Sequence, residues 1–299
     1  MAEPTVIETQ DLRKKYDDVE ALRGLNLHVP AGSICGFLGR NGAGKTTTIK
    51  VLLGMARPTS GQARVFGLSA NAPDSIIDIH RRTGFVSDDK DLYGYMTIAE
   101  MIRFTAAFFP RWRQDLEQRY IRKFDLPKDR KIKSLSRGTR TKLALLLALC
   151  RGAELLILDE PTSGLDPAVT EEVLQALVSH VANEEMTVFF SSHQIAEVEQ
   201  IADRVTVIHC GRTVVAGALD DLRENFRRIQ LVFDGEAPQT AFRTPGVERV
   251  WRKGRVLTVL SSAGADGVLN ESRALSPVSV DVVHVTLKEI FLETVAAED

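Results

Sequence analysis

Apolar residues in the first two thirds of the chain follow two patterns that alternate along the sequence. Short continuous apolar runs, which are typical of strands buried on both faces of a sheet, occur at 33–38, 155–158 and 187–191. Each run is followed by a segment predicted to be helical, at 46–53, 168–183 and 194–202 respectively. Because strands that alternate with helices build parallel sheets, we predict an α/β domain with a mainly parallel sheet.

Two other parts of the chain have a different pattern. From about residue 90 to 150 the apolar spacing is helical, which predicts a helical subdomain within the larger domain. After residue 225, short alternating strands mix with two helix candidates, at 266–275 and 287–296. Thr286 and Glu289 form a capping-box pattern at the start of the second candidate. We therefore predict an α/β domain over residues 1–224 and a small α+β accessory domain over residues 225–299.

A glycine-rich loop lies between the first buried strand and its helix. It fits the phosphate-binding pattern G-x-x-x-x-G-K-[ST], and its residues are Gly39, Arg40, Asn41, Gly42, Ala43, Gly44, Lys45, Thr46 and Thr47. Glycines let backbone N–H groups turn toward an anion, and the helix N-terminus adds partial positive charge at the same place. Lys45 supplies a point charge for phosphates and the Thr46 hydroxyl is a ligand suited to Mg²⁺. The strand–loop–helix context therefore predicts a nucleotide site.

Polar residues follow the other buried runs. Asp159 and Glu160 end the run 155–158, and His193 follows the next strand, at the same edge of the sheet by topology. Ser136 and Gly138 begin a further helix, where backbone N–H groups bind phosphate readily. Taken singly, these residues have plain structural interpretations: a solvated strand-end carboxylate, a structural histidine and a helix N-cap.

Taken in order, these motifs resemble the ATP-binding subunit of an ATP-binding cassette (ABC) transporter, over roughly residues 5–222. The resemblance implies a P-loop ABC ATPase fold, ATP as substrate and Mg²⁺ as cofactor. It implies that Glu160 is the catalytic base and that His193 contacts the γ-phosphate. The loop 39–47 would hold the phosphates, with Thr46 and Asp159 serving Mg²⁺.

The resemblance implies further contacts outside the phosphate loop. Tyr16 matches the aromatic residue that stacks on adenine. Ser136 and Gly138 match the signature residues that bind the γ-phosphate held by the other protomer. Asp166 matches a residue at the dimer interface.

Two departures from the family pattern affect these expectations. The usual signature Leu-Ser-Gly-Gly-Gln is Leu-Ser-Arg-Gly-Thr here, so Arg137 and Thr139 replace a glycine and a glutamine. Asp88 stands near the position of the Q-loop glutamine. A carboxylate accepts hydrogen bonds and coordinates Mg²⁺ but does not donate as an amide does. Asp88 is predicted to be an Mg²⁺ ligand, with a solvated loop acid as the alternative.

The resemblance also predicts the partners. Because the chain has one phosphate loop and one signature, a second ATP-binding subunit, expected to be an identical chain, must complete each site. A separate integral membrane permease is expected to dock near residues 88–97, through Leu92, Tyr93, Tyr95 and Met96. The segment after residue 225 resembles the extension of drug, antibiotic and peptide exporters. We therefore predict the subunit of an exporter at the cytoplasmic face of the cell membrane.

Composition agrees with this interpretation. The longest apolar run, 143–150, is far shorter than the ~18 residues of a membrane span, and the first residues have no signal-peptide pattern. The net charge of −2 gives no basic surplus for nucleic acid. Three scattered cysteines, Cys35, Cys150 and Cys210, are interpreted as buried thiols of a reducing compartment.

Two alternatives remain open from the sequence. One is a non-transport ABC ATPase that acts on nucleic acid or ribosomes. Against it, Asp159 follows Lys45 by only 114 positions with no heptad run for a coiled coil, and the chain has a single cassette. The other is a degenerate cassette that binds ATP without hydrolysing it, against which the presence of Glu160 and His193 argues.

Overall fold

The computed structural model describes residues 4–184 and 186–295, which divide into two compact units between Thr213 and Val214. The division predicted from the sequence lies after residue 224 instead. The helix predicted at 287–296 ends at Val295, and Ala296 lies outside the described residues.

The strands are β1 (Thr5–Tyr16), β2 (Val19–Pro30), β3 (Ile34–Leu38), β4 (Ser60–Val65), β5 (Leu68–Ser69), β6 (Thr83–Val86), β7 (Leu155–Leu158), β8 (Thr187–Ser192), β9 (Arg204–His209), β10 (Arg212–Ala218), β11 (Arg227–Val232), β12 (Val247–Lys253), β13 (Val256–Ser261) and β14 (Ser279–His284). The α-helices are α1 (Lys45–Leu52), α2 (Pro73–Arg82), α3 (Ile98–Ala106), α4 (Gln114–Lys123), α5 (Arg137–Leu149), α6 (Pro167–Glu184), α7 (Ile195–Ile201), α8 (Leu219–Asn225), α9 (Asp266–Ser272) and α10 (Leu287–Val295).

A parallel sheet forms the centre of the first unit, and its strands lie in the order β9-β3-β8-β7-β6. Every residue of β3, β7 and β8 is buried, which explains their continuous apolar sequence. Since the strands are parallel, their carboxyl ends lie at one edge of the sheet. The loops after β3, β7 and β8, which carry the predicted phosphate and acidic motifs, therefore meet there.

A second sheet in the first unit is antiparallel, with the order β2-β1-β4-β5. Its buried residues join a core that also includes Phe37 of β3 and Ile49 of α1. This core anchors the strand and the helix on either side of the phosphate loop.

Helices α3, α4 and α5 form the predicted helical part. Thr97 and Glu100 make a capping box at the start of α3, where Thr97 Oγ1 accepts from the Glu100 N–H at 3.2 Å. Along the described stretches of the chain, none of the helices has both the length and the apolar character that a membrane crossing requires.

The second unit has its own sheet and its own core. Its antiparallel strands lie in the order β12-β13-β11-β14, and Ile229, Leu231 and Val259 are fully buried in the core. The predicted capping box of α10 is present: the Glu289 carboxylate accepts from the Thr286 N–H at 2.8 Å. An α+β arrangement was predicted for this region.

The prediction that all three thiols are buried is wrong for one of them. Cys35 and Cys150 are buried, whereas Cys210 is exposed. Cys210 follows the last residue of β9 and starts the turn to Gly211, with φ of 44°. The turn brings the side chain to the surface even though apolar residues precede it.

Candidate active site

The phosphate loop leaves the carboxyl end of β3 and enters α1 at Lys45. Gly44, which caps α1, has φ of 113°, and a Cβ there would lie 2.9 Å from the Ala21 carbonyl oxygen. Only glycine fits this backbone and this close approach. The loop therefore turns its N–H groups around an open space.

That space is a cleft of about 420 Å³. Its lining includes these predicted site residues: Asn41, Gly42, Gly44, Lys45, Thr46, Thr47, Asp88, Glu160 and His193. The structure thus brings together side chains from four separate segments of the sequence. Ala21 and Ser163 also line the cleft and were not predicted to do so.

Lys45 is held inside the loop. Its side chain is 6% exposed, and Nζ donates to the carbonyl oxygens of Gly39 at 2.7 Å and Arg40 at 3.3 Å. Nζ also lies 3.0 Å from Oε1 of Glu160. The cation is therefore fixed at the cleft wall beside a carboxylate.

Ser191 of β8 organises the acidic pair after β7. Its hydroxyl donates to Asp159 Oδ1 at 2.7 Å and accepts from the Glu160 N–H at 2.9 Å. Both contacts are buried, so the orientation of the two acidic residues depends on one side chain of a neighbouring strand. Ser191 was not predicted from the sequence, because only strand pairing brings it to Asp159.

The Glu160 carboxylate contacts Lys45 and His193, two of the residues predicted to bind the phosphates. Oε2 lies 2.8 Å from His193 Nδ1, in hydrogen-bond geometry. Oε1 forms the ion pair with Lys45 but makes no hydrogen bond of acceptable geometry. The Glu160 backbone has φ of 48°, which is unusual for a residue other than glycine.

The signature residues lie outside this cleft. Ser136 caps α5, and its Oγ accepts from the Thr139 N–H at 3.2 Å. A Cβ on Gly138 would lie 3.2 Å from Val169 of α6, so close packing of the two helices favours glycine there. Neither residue lines the cleft of its own chain.

Arg137, the residue that departs from the family signature, points toward the cleft wall. Its Nη2 lies 3.8 Å from Asp88 Oδ1 and 3.5 Å from Ser163 Oγ. Asp88 also lies 3.8 Å from Lys90 Nζ. The carboxylate at the Q-loop position therefore faces two cations.

Six other predicted site residues also lie outside the cleft lining, and these are Tyr16, Gly39, Arg40, Ala43, Asp159 and Asp166. Asp166 caps α6, since its Oδ1 accepts from the Val169 N–H at 3.0 Å. Tyr16 is 41% exposed, and Lys14 Nζ lies 4.5 Å from its ring centre. Its π-face is thus beside a cation at the surface, and its stacking on adenine stays a prediction.

Lys90 is a buried cation that was not predicted from the sequence. Its ammonium donates to the carbonyl oxygen of Asp88 at 2.9 Å and to that of Glu160 at 3.4 Å. Burial lowers the pKa of Lys90, and the Asp88 carboxylate opposes this shift. No sequence motif marks this residue.

The oxygen donors at the cleft are few. Among the residues that the structure describes, no group of three or more His, Cys, Asp or Glu side chains has the arrangement of a metal site. Thr46 and Asp88 line the cleft, and Asp159 is a buried residue with 3% of its surface exposed. Hard oxygen donors in this small number fit an ion that takes its other ligands from phosphate and water.

A phosphate loop of this form, on a parallel sheet that carries an acidic pair at the same edge, is characteristic of P-loop nucleoside triphosphatases. Comparison with known proteins shows which family of P-loop triphosphatases this chain is similar to. The sequence pattern of the ABC transporter family matches residues 22–163. Bacitracin transport ATP-binding protein BcrA of Bacillus licheniformis is 34% identical over 297 residues, which cover 97% of this chain and 95% of BcrA. The chain belongs to the ABC transporter family as an ATP-binding subunit.

Other relatives agree with that assignment. The daunorubicin/doxorubicin resistance ATP-binding protein DrrA of Streptomyces peucetius is 37% identical over 228 residues, covering 75% of this chain and 68% of DrrA. A solved ATP-binding subunit of an ABC transporter superposes with a TM-score of 0.65 at 28% identity, covering 74% of this chain and 92% of that one. The predicted fold class, ATP as substrate and ATPase activity are therefore confirmed.

Proposed function

We propose that this ATPase powers export of a drug-like or peptide antibiotic compound through a separate membrane permease. The relatives named above serve bacitracin transport and daunorubicin/doxorubicin resistance. The likeness to BcrA extends over 97% of the chain and so includes the second unit. These likenesses support transport rather than action on nucleic acid or ribosomes.

The observation that carries the catalytic part is the position of Glu160 between Lys45 and His193. With nucleotide in the cleft, the phosphates take up the charge of Lys45 and the loop N–H groups. The Glu160 carboxylate is then free to accept a proton from the attacking water. The hydrogen bond to His193, 2.8 Å long, orients that carboxylate, and His193 also lines the cleft.

Thr46, Asp159 and Asp88 are proposed to hold Mg²⁺. Bound there with the phosphates, Mg²⁺ would neutralise charge that develops on the transferred group. Asp159 is oriented for this by the Ser191 hydroxyl.

A second ATP-binding subunit is proposed to complete the site. Ser136 and Gly138 lie away from the cleft of their own chain, at the N-terminus of α5, which Ser136 caps. Such an N-terminus binds a phosphate from another protomer without rearrangement of the helix. An identical chain, related by a twofold axis in a head-to-tail dimer, supplies the N-terminus of its α5 to this site. In this dimer Asp166 lies at the interface and Tyr16 stacks on the adenine.

The permease is proposed to dock beside residues 88–97, which would hold the subunit at the cytoplasmic face of the membrane. A cavity of about 260 Å³ there is lined by Leu92, Met101 and Phe109 among others. Tyr93 and Tyr95 are 50% and 68% exposed, and Tyr93 packs edge-on against Phe104. An apolar, partly aromatic surface of this kind fits a short amphipathic helix of a partner.

The variant Glu160→Gln tests the catalytic proposal. The amide keeps the size of the side chain but does not take a proton, so ATP hydrolysis should fall by about 100-fold or more. With Mg-ATP, the variant should accumulate as a dimer in size-exclusion chromatography with light scattering, whereas wild type should dissociate after hydrolysis. Glu172→Gln, which changes a carboxylate paired with Lys142 outside the cleft, is the control.

Unchanged hydrolysis by Glu160→Gln would remove this residue from the catalytic role. The transport proposal has its own test, which is affinity purification of the chain from membranes. Recovery of a polytopic membrane protein supports it. Recovery of no such protein, together with ATPase activity stimulated by nucleic acid, would favour the alternative.

A further inference from the structure

Lys90 has a burial that none of the proposed roles explains. Its side chain is 2% exposed, and it lies in the loop between β6 and α3 with φ of 49°. Burying an ammonium group costs several kcal/mol unless it is well paired. A methionine or leucine would fill the same space at lower cost, so packing alone does not account for a lysine.

The contacts of Lys90 are directed at two peptide carbonyls. The shorter bond, 2.9 Å, goes to its neighbour Asp88, and the longer, 3.4 Å, reaches Glu160 from a loop seventy positions away in the sequence. The nearest carboxylate oxygen, on Asp88, is 3.8 Å away. The ammonium group therefore joins the loop after β6 to the loop after β7.

The carbonyl of Glu160 belongs to a strained peptide. Positive φ at a residue other than glycine costs on the order of 1 kcal/mol and persists only where neighbours hold it. The N–H of Glu160 is held by Ser191, and its carbonyl accepts from the Ser163 N–H at 3.2 Å and from Lys90. Rotation of this peptide would carry the Glu160 carboxylate away from Lys45 and His193.

We propose that Lys90 is a positioning residue for Glu160, fixing its backbone so that the carboxylate faces the cleft. This inference rests on the catalytic role proposed for Glu160. Lys90 also lines the cavity beside residues 88–97. One ammonium group thus contacts both the segment proposed to meet the permease and the proposed catalytic base.

Three variants separate positioning from packing. Lys90→Met keeps an unbranched side chain without a donor, whereas Lys90→Gln keeps N–H donors without charge. Lys128→Met, a change at an exposed lysine, is the control. For each purified chain, kcat and KM for ATP and the Kd for Mg-ADP are measured.

We expect Lys90→Met to lower kcat by about 10-fold, since small displacements of a reacting group cost one to two orders of magnitude. KM and the Mg-ADP Kd should change by less than about threefold, because the loop 39–47 is untouched. Lys90→Gln should retain a clearly larger kcat than Lys90→Met. If Lys90→Met does not fold, Lys90→Arg and Lys90→Gln carry the test, each with lowered kcat and retained KM.

Three results would overturn the proposal: wild-type kcat in the Lys90 variants, equal loss in Lys90→Met and Lys90→Gln, or a rise in KM at constant kcat. Normal ATP hydrolysis by the Glu160→Gln variant, with Lys90 unchanged, would instead remove the underlying role of Glu160. The two failures are therefore distinguishable.

Discussion

Ser191 shows how much of this site depends on a single hydroxyl. It is fully buried, and its Oγ serves the side chain of Asp159 and the backbone of Glu160 at once. Ser192, the next residue, is equally buried but donates to Glu197 Oε2 at 2.7 Å. The two serines thus allow a matched comparison.

We predict that Ser191→Ala lowers kcat for ATP whereas Ser192→Ala does not. Each change leaves buried polar groups without a partner, which should cost about 1–3 kcal/mol of unfolding free energy in both variants. Only Ser191→Ala also releases the acidic pair. Urea denaturation and steady-state ATPase assays measure the two effects, and equal kcat values in the two variants would contradict the prediction.

At the residue scale, the sequence predicted those side chains whose chemistry follows from a local pattern. The cleft does contain Lys45, Glu160 and His193, which come from three motifs. Ser191 and Lys90 were not predicted, because the residues that they contact are distant in the sequence and meet them only in the folded chain. The pairing of Arg137 with Asp88 was not predicted for the same reason, although both residues were noted as departures from the family pattern.

At the scale of elements, α4 and α6 meet at a buried polar pair. Tyr120 Oη and His180 Nδ1 lie 3.0 Å apart, and Tyr120 also stacks on Phe124 with ring centres 5.3 Å apart. Burial lowers the pKa of His180 to about 4. The histidine is therefore neutral in the folded protein at neutral pH.

The lowered pKa of His180 predicts that the folded protein loses stability in acid. Below about pH 6.5 the unfolded chain binds a proton at His180 that the folded chain does not bind, so the folded state loses stability as the pH falls toward 4. Between pH 7 and pH 5 the loss should be about 2 kcal/mol. We expect the His180→Gln variant to be less stable than wild type at pH 7. Its free energy of unfolding should fall by less than that of wild type between pH 7 and pH 5.

Urea denaturation at both pH values measures this difference. His28→Gln, a change at an exposed histidine, is the control and should follow wild type. Equal losses in wild type and His180→Gln would show that this histidine does not set the acid sensitivity.

The buried strands and long helices were the predictable elements, because period and apolar content identify them. β10 and α8 were missed, since Arg212–Ala218 alternates weakly and Leu219–Asn225 is short and mostly polar. β1 and β2 extend to 12 residues each, although only residues 5–9 and 22–29 alternate in sequence in the manner of a strand. Their polar ends pair with each other through backbone bonds that side-chain pattern does not reveal.

At the scale of the whole molecule, each compact unit has its own apolar core and one of the two tryptophans. Trp112 lies in the first unit, where Nε1 donates to Glu117 Oε2 at 2.8 Å. Trp251 lies in the second unit beside the Arg249 guanidinium. Their fluorescence reports on the two units separately.

We predict that Mg-ADP stabilises the first unit selectively, because the cleft is built from its residues alone. In Trp251→Phe, which leaves Trp112 as reporter, saturating ligand at about 100 times Kd should add ~2.7 kcal/mol to unfolding. In Trp112→Phe, which leaves Trp251, the urea midpoint should not move. Equal shifts for both reporters would mean that the chain unfolds as one cooperative unit.

The exposed thiol of Cys210 makes the native chain ready for site-specific labelling. Burial raises the pKa of Cys35 to about 12 and also raises that of Cys150, so maleimides at neutral pH should react at Cys210. The next residue, Gly211, donates its N–H to the carbonyl oxygen of Ala43 at 2.9 Å. A dye attached without mutagenesis would therefore sit one residue from a backbone bond to the phosphate loop, where its emission could follow nucleotide arrival in real time.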